Sequence, residues 1–218
     1  MNAYRLLALV VLACALSACN PLMQASLRTL GASFSSPAPL ELTRAQVNSL
    51  PYYQIEITTQ YGSAVMALVR TQGDLQYWQA SSRQLLLLQD GVVVRTLGFP
   101  DDLLGTRLAP GSPFVKGLQH LDEDQASQRW IDLGPGYLLD VPLTGRLRRV
   151  GLETVHILDQ DHRLLRIDER LSAPIKGMAA TNSYWVDPND GFILQSRQQV
   201  TPTLNVTITQ LRPLRSQP

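Results

Sequence analysis

From Pro51 to near the end of the chain, apolar positions recur at every second residue. Tyr53, Ile55 and Ile57 alternate with Gln54, Glu56 and Thr58, and Leu204, Val206 and Ile208 alternate with Asn205, Thr207 and Thr209. Successive side chains of a strand point to opposite faces, so this period predicts half-buried strands. Between these ends, "AVMALVR" and "LQYWQAS" flank Gln72-Gly73-Asp74, and "QLLLLQ" and "VVVRTLG" flank Asp90-Gly91. Glycine supplies the positive φ that a tight hairpin turn demands, so both read as hairpins. Further on, "YLLDVPLTGRLRR" places Tyr137, Leu139, Val141, Leu143 and Leu147 on one face. "LETVHIL" and "RLLRIDERL" flank Asp159-Gln160-Asp161-His162, and "SYWVD" and "FILQSRQQV" flank Pro188-Asn189-Asp190-Gly191.

About ten strands in succession, with no long helical pattern between them, exclude a parallel βαβ architecture and predict an all-β antiparallel meander curled into a sheet or barrel. The runs Leu85 to Leu88 and Val92 to Val94 are apolar on both faces. That hairpin must therefore be covered on both sides. At most one short helix is expected, over "RAQVNSL" with Thr43 as its N-cap, ending before Pro51.

The N-terminal stretch follows different rules. Arg5 precedes a charge-free run from Leu6 to Leu16, too short for a comfortable transmembrane helix of roughly 20 residues, and small residues close it as at a processing site. Leu16-Ser17-Ala18-Cys19 resembles the lipobox of bacterial lipoproteins. That resemblance implies a signal peptide over 1–18, diacylglycerol on the Cys19 thiol, and further acylation, palmitate included, of the new amino group. More than one acyl chain gives stable anchoring where a single chain is marginal. Asn20 follows the cysteine. In the sorting rule of enteric bacteria an Asp there retains a lipoprotein at the inner membrane, so outer-membrane anchoring with a periplasm-facing domain is expected. Residues 19–42, containing Ser35-Ser36-Pro37-Ala38-Pro39, read as the lipidated tether, and 43–218 as a single domain.

Charge narrows the partners. The chain carries 19 Lys+Arg against 18 Asp+Glu, and removal of 1–18 takes only Arg5, leaving the mature chain neutral. Without a basic stripe, nucleic acid is not an expected partner. Cys14 leaves with the signal peptide, so no disulfide is expected although the compartment would permit one.

Residues suited to catalysis or metal binding are few. His120, His156 and His162 are the only histidines, with no metal-ligand spacing among them, so no metal or cofactor is expected. Asp159, Asp161 and His162 read as a solvated turn, because the calcium loop's central Gly and final Glu are missing. Asp101 and Asp102, beside Pro100, read the same way. Asp122, Glu123 and Asp124 are consecutive and diverge in direction, whereas glycoside hydrolysis needs two acids held across a sugar. No G-x-S-x-G elbow is present. Arg146, Arg148 and Arg149 suit an acidic sugar, although Arg146 and Arg148 lie opposite Leu143 and Leu147, where a solvated outer face is the plainer reading. Trp78, Trp130 and Trp185 read as core before sugar platform. No catalytic residue is expected.

Three blocks, "LPYYQIEITTQYGSAVMALV", "GDLQYWQASSRQLLLLQDGVVVRTLGFPDDLLGTRL" and "TNSYWVDPNDGFILQSRQQV", resemble the YjbF family of exopolysaccharide and group 4 capsule lipoproteins, in the family's order. The resemblance spans roughly 45 to 211, is most specific in the middle block, and is weakest at "SPFVKGLQHLDEDQASQ". It implies a deformed antiparallel β-barrel, a setting of polysaccharide export, and no catalytic residue to carry over. Three functions follow as expectations. The first is a non-enzymatic accessory lipoprotein of exopolysaccharide or capsule production and export, whose partners are the membrane, export proteins and the polysaccharide. The others are a lipid or lipoprotein carrier with an apolar barrel cavity, and a polysaccharide-modifying enzyme. A packed interior would count against the carrier.

Overall fold

The strand pattern is realised almost strand for strand in a computed structural model that describes residues 40–215. The expected signal peptide, Cys19 and most of the tether lie outside the described residues. The strands are β1 (Gln54–Thr59), β2 (Gly62–Gln72), β3 (Leu75–Ala80), β4 (Leu85–Gln89), β5 (Val92–Leu97) and β6 (Leu103–Leu108). They continue with β7 (Gln125–Leu133), β8 (Leu138–Ile157), β9 (Gln160–Ser172), β10 (Thr181–Val186), β11 (Ile193–Gln199) and β12 (Asn205–Arg212).

All twelve belong to one antiparallel sheet in the order β5-β4-β3-β2-β1-β12-β11-β10-β9-β8-β7-β6. Every sequential neighbour pairs except β5 and β6, and the first and last strands pair with each other, from Gln54 with Arg212 to Thr59 with Val206. The sheet curls into a nearly closed barrel whose seam lies between β5 and β6. There Thr96 Oγ1 donates to Asp102 Oδ1 (2.9 Å) and accepts from the Leu103 amide (2.8 Å). The amides of Gly98 and Phe99 donate to the same Asp102 carboxylate at 2.9 and 3.1 Å. Side-chain bonds thus take the place of a strand ladder between the two end strands of the sheet.

The interior is filled. Ile55, Met66, Trp78, Leu86, Leu143 and Leu204 are each at most 1% exposed and belong to one cluster drawn from both halves of the sheet. The β4–β5 hairpin is buried on both faces, as its double apolar pattern requires, with Leu86 to Leu88 and Val92 to Val94 all buried. Its tip rests on β11: Gln198 accepts from the Val93 amide (3.0 Å) and donates to the Gly91 carbonyl (2.8 Å). Gly91 sits at φ 76°, and a Cβ there would collide with Ile193. This crossing of one wall onto another deforms the barrel. A void among the core residues Val93, Leu103, Arg129, Leu143, Met178 and Val200 measures about 10 Å³, at most the space of one water.

Helix α1 (Arg44–Asn48) has the expected N-cap and a full capping box, with Thr43 accepting from the Gln46 amide and the Gln46 side chain accepting from the Thr43 amide. It covers the outer face of β1, where Gln54 Nε2 donates to the Val47 carbonyl (2.8 Å). Further along, the Leu40 amide donates to Glu56 Oε1 (2.7 Å), and Gln54 and Glu56 are buried whereas Tyr53, just before the strand, is exposed.

Three local expectations are corrected. Besides α1 there is a second helix of one turn, α2 (Pro113–Lys116), and two 3-10 turns, Leu118–His120 and Pro135–Tyr137. Pro113 starts α2, and the segment's apolar residues Phe114, Leu118 and Leu121 are buried against Leu147, Ile167 and Tyr184. Tyr137 and Leu139 do not share the buried face of Val141, Leu143 and Leu147; they are 85% and 64% exposed. Positive φ at Gly136, Tyr137 and Asp140 breaks the alternation before β8 settles. The β8–β9 turn falls at Leu158 and Asp159, with Leu158 at φ 57°, so Asp161 and His162 belong to β9.

Candidate functional site

The wall formed by β7 to β10 differs in kind on its two sides. Inside, Arg129 on β7 forms a two-pronged ion pair with Glu169 on β9, Nη1 to Oε1 at 2.9 Å and Nη2 to Oε2 at 3.1 Å. Both side chains are buried, at 5% and 0% exposure. Ser127 Oγ donates to Glu169 Oε1 (2.5 Å), while Tyr184 Oη (3.1 Å) and Asn182 Nδ2 (3.4 Å) donate to Oε2. Asn182 Oδ1 accepts from the Gln199 amide (2.8 Å), tying β11 to the group. Burial works to lower the Arg129 pKa, but the Glu169 carboxylate and the Tyr184 phenol outweigh it and hold it above the usual value. Burial first, and the Glu169 charge second, push the Tyr184 phenol far up, so it acts as a donor. Gly145 on β8 makes room: a Cβ there would overlap Ser127 Oγ and Glu169 Oε1. The network locks four strands in one register.

Outside the same wall the register builds a row of arginines. Arg146 on β8 stands opposite Arg170 on β9, and Arg170 stands opposite Thr181 on β10. One step along, Arg148 stands opposite Asp168, which stands opposite Ser183. A bulge between Arg149 and Gly151 leaves Val150 unpaired and re-aims the chain, so that Arg149 joins Arg146, Arg148 and Arg170 around a cleft of about 680 Å³, with Asp124, Val150, Asp168 and Thr181 completing its lining. Asp124 is taken by Arg146 (3.2 Å). Asp168 is taken by Arg166, through Nε at 2.8 Å and Nη2 at 3.0 Å, and by Ser183 Oγ at 2.7 Å.

The remaining residues singled out from sequence have structural partners. Asp101 is buried and accepts from Thr201 (2.6 Å) and Thr203 (2.5 Å), fastening the β5–β6 connection to the β11–β12 turn. Asp102 holds the seam. Asp159 accepts from Arg44 Nε (2.5 Å), and His156 Nδ1 lies 2.7 Å from Asp161 Oδ1. That hydrogen bond, ahead of the Asp161 and Asp159 charges, raises the His156 pKa. Asp122 and Glu123 are exposed beside Asp124, His120 is exposed, and His162 is half-buried. Among the described residues no group of three or more His, Cys, Asp or Glu is placed to hold a metal. Trp78 is in the barrel core. Trp185 is buried on the outer side, donating to Glu153 (2.8 Å) between the guanidinium groups of Arg166 and Arg197. Trp130 is half-buried under Arg107, whose guanidinium lies 4.2 Å from the ring centre. Arg129, Glu169 and Arg170 escaped the sequence reading, since their partners lie on other strands: the meeting of Arg129 with Glu169 and the register of Arg170 with Arg146 are visible only once the β7–β8–β9 pairing is known.

A twelve-stranded antiparallel barrel with a solid interior and an arginine-lined outer cleft defines the structural class. The chain belongs to the YjbF family: the family model described as "Group 4 capsule polysaccharide lipoprotein gfcB, YjbF" matches residues 27–211. It is 21% identical over 211 residues to the "Uncharacterized lipoprotein GfcB" of Escherichia coli (strain K12), covering 96% of this chain and 99% of that one. The crystal structure of the hypothetical lipoprotein YmcC from Escherichia coli (K12) shares the fold, with a TM-score of 0.72 at 20% identity over 81% of this chain and 91% of that one. A putative exported protein with a YmcC-like fold from Bacteroides fragilis NCTC 9343 matches at a TM-score of 0.35 and 11% identity, over 73% and 93% of the two chains.

Proposed function

We propose that this protein is a lipid-anchored, periplasm-facing outer-membrane lipoprotein that serves as a non-enzymatic accessory factor in capsule or exopolysaccharide production and export. The observation that carries this reading, within a family of capsule polysaccharide lipoproteins, is the solid interior of the barrel. A carrier of lipid or acyl chains needs a cavity of several hundred Å³, whereas here Ile55, Met66, Trp78, Leu86, Leu143 and Leu204 pack into one buried cluster and the void beside Val93 and Met178 is about 10 Å³. With the inside closed, the outer surface is what the protein offers to partners. Three of the acidic residues that an enzyme reading would recruit are bound to structural partners: Asp102 at the seam, Asp124 by Arg146 and Asp161 by His156.

Deletion of the gene, with surface polymer measured and wild-type complementation as reference, tests the reading. Loss or strong reduction of surface polymer, restored by the wild type, is expected. Unchanged surface polymer, or alteration of the polymer by the purified protein alone, would overturn it.

A further inference from the structure

We infer that the outer cleft between β8 and β9 is a binding site for a polyanionic polysaccharide, one bearing carboxylate groups along its chain, held by Arg148, Arg149 and Arg170 with Arg146 beside them. The choice of ligand rests on the capsule or exopolysaccharide reading above; the anion site itself rests on the geometry.

Three observations build it. First, the charge is uncompensated locally. The cleft holds four arginines against two aspartates, and both aspartates are occupied, Asp124 by Arg146 and Asp168 by Arg166 and Ser183. Among the described residues, Arg148, Arg149 and Arg170 have no carboxylate partner. The mature chain is neutral, so this concentration of positive charge is local and does not follow from composition.

Second, the strand register places Arg170 against another arginine and gives it no counter-charge of its own. Arg146 and Arg170 are direct cross-strand neighbours; Asp124 offsets the charge of Arg146, which leaves Arg170 as the unrelieved member of a pair of like charges on one face of the sheet. A ligand carboxylate beside Arg170 supplies there the counter-charge that Asp124 supplies to Arg146. Guanidinium suits this task because its planar fork matches a carboxylate with two hydrogen bonds.

Third, the shape favours a chain over a surface. The cleft is concave, about 680 Å³, with Val150 and Thr181 among the charges, giving apolar and hydroxyl contacts besides ionic ones. Cross-strand spacing of about 5 Å and an along-strand repeat of roughly 7 Å present several cationic points to successive groups of one extended polymer. A bilayer surface would meet a flat or convex cationic face better. Behind the cleft, the Arg129–Glu169 network fixes β7 to β10 from inside, so the cationic points are held on a rigid wall.

The test uses the full mature lipoprotein in neutral detergent micelles, with polygalacturonate as the anionic probe and dextran as the neutral one. Polygalacturonate should bind and dextran should not. Binding should weaken as salt rises from about 0.01 to about 0.15 M, where the screening length falls from roughly 30 to roughly 8 Å. Arg148→Ala/Arg149→Ala/Arg170→Ala, at exposed positions where the fold tolerates change, should keep the β-sheet circular dichroism and raise the dissociation constant at least about tenfold, the equivalent of about 1.4 kcal/mol. Arg83→Ala/Arg95→Ala/Arg163→Ala removes three exposed arginines elsewhere and should bind as wild type. Equal losses in both triple variants, equal binding of dextran, or unaltered binding by the cleft variant would each overturn the site. Loss of polymer binding when the micelles are doped with phosphatidylglycerol would also overturn it, assigning the cleft to lipid headgroups. A deletion strain that loses surface polymer while the cleft fails these binding tests leaves the accessory role standing and removes only the site. The converse result removes only the role.

Discussion

Arg129 and Glu169 face each other across two strands inside the barrel, joined by two parallel hydrogen bonds of 2.9 and 3.1 Å, and they share that buried space with Ser127, Asn182 and Tyr184. Removing one member of such a pair strands the other charge out of water, a loss of about 3–5 kcal/mol. Glu169→Leu is therefore expected to lower the denaturant midpoint sharply at unchanged slope. The double change Arg129→Met/Glu169→Leu should recover part of the loss, since Asn182 and Tyr184 still lack their acceptor. A single variant as stable as wild type would show that the pair contributes nothing net.

The seam gives a second expectation. Asp102 accepts from Thr96, Gly98 and Phe99, so Asp102→Ala should cost about 2 kcal/mol, the range for hydrogen bonds to a charged group. Amide hydrogen exchange should accelerate at Phe99 and Leu103, while distant strands such as β9 keep their protection. Uniform acceleration over all strands would contradict a local seam.

Neutralising the acids one at a time separates structure from catalysis. Asp102→Asn, Asp124→Asn and Asp161→Asn, each checked for fold and abundance, should leave polysaccharide export largely intact. Asp124→Asn should also leave polygalacturonate binding undiminished, because it only frees Arg146. Abolished export from a folded, abundant variant would move the assignment to an enzyme.

His156 supplies a pH-dependent reporter. Its hydrogen bond to Asp161, ahead of the surrounding negative charge, raises its pKa. A raised folded value means that the interaction contributes stability below the unfolded pKa of about 6.5 and that the contribution fades as pH climbs through the folded value. An NMR titration of the ring should give a midpoint above that of a free histidine, and Asp161→Asn should lower it. An unmoved midpoint would dismiss the contact.

At the N-terminus, Cys19→Ser removes the thiol expected to take the lipid. Metabolic labelling with a fatty acid should mark the wild type and leave the variant unlabelled and unprocessed or mislocalised. Equal labelling of both would dismiss lipidation at Cys19.

The strands and their hairpins were legible because each depends on local chemistry. Gly91 at φ 76° and the alternation of Leu204, Val206 and Ile208 need no knowledge of the rest of the chain. The short helix behind Thr43 was legible for the same reason, whereas the capsule-lipoprotein family was legible through the resemblance of three sequence blocks. What stayed hidden depends on pairing. Arg170 becomes a neighbour of Arg146 only through the β8–β9 register, and Glu169, inward by the same alternation as Leu165, Ile167 and Leu171, meets Arg129 only because β7 lies two strands away on the same wall. Tyr137 and Leu139 followed the apolar period on paper, yet left-handed backbone at Tyr137 and Asp140 turned them to solvent. The closing of β1 onto β12, the pairing that fastens the ends of the meander together, leaves no mark in either strand.

That last pairing sets the order of events after synthesis. β1 cannot complete its second ladder until Arg212 is available to meet Gln54, so the earliest strand to emerge waits with an open edge for the latest. Contacts this distant along the chain make folding slow, and an unpaired apolar strand is a template for association with other chains. A polypeptide that crosses a membrane from its N-terminus would spend the whole of its passage in that vulnerable state, and would become self-contained only when its last strand arrived.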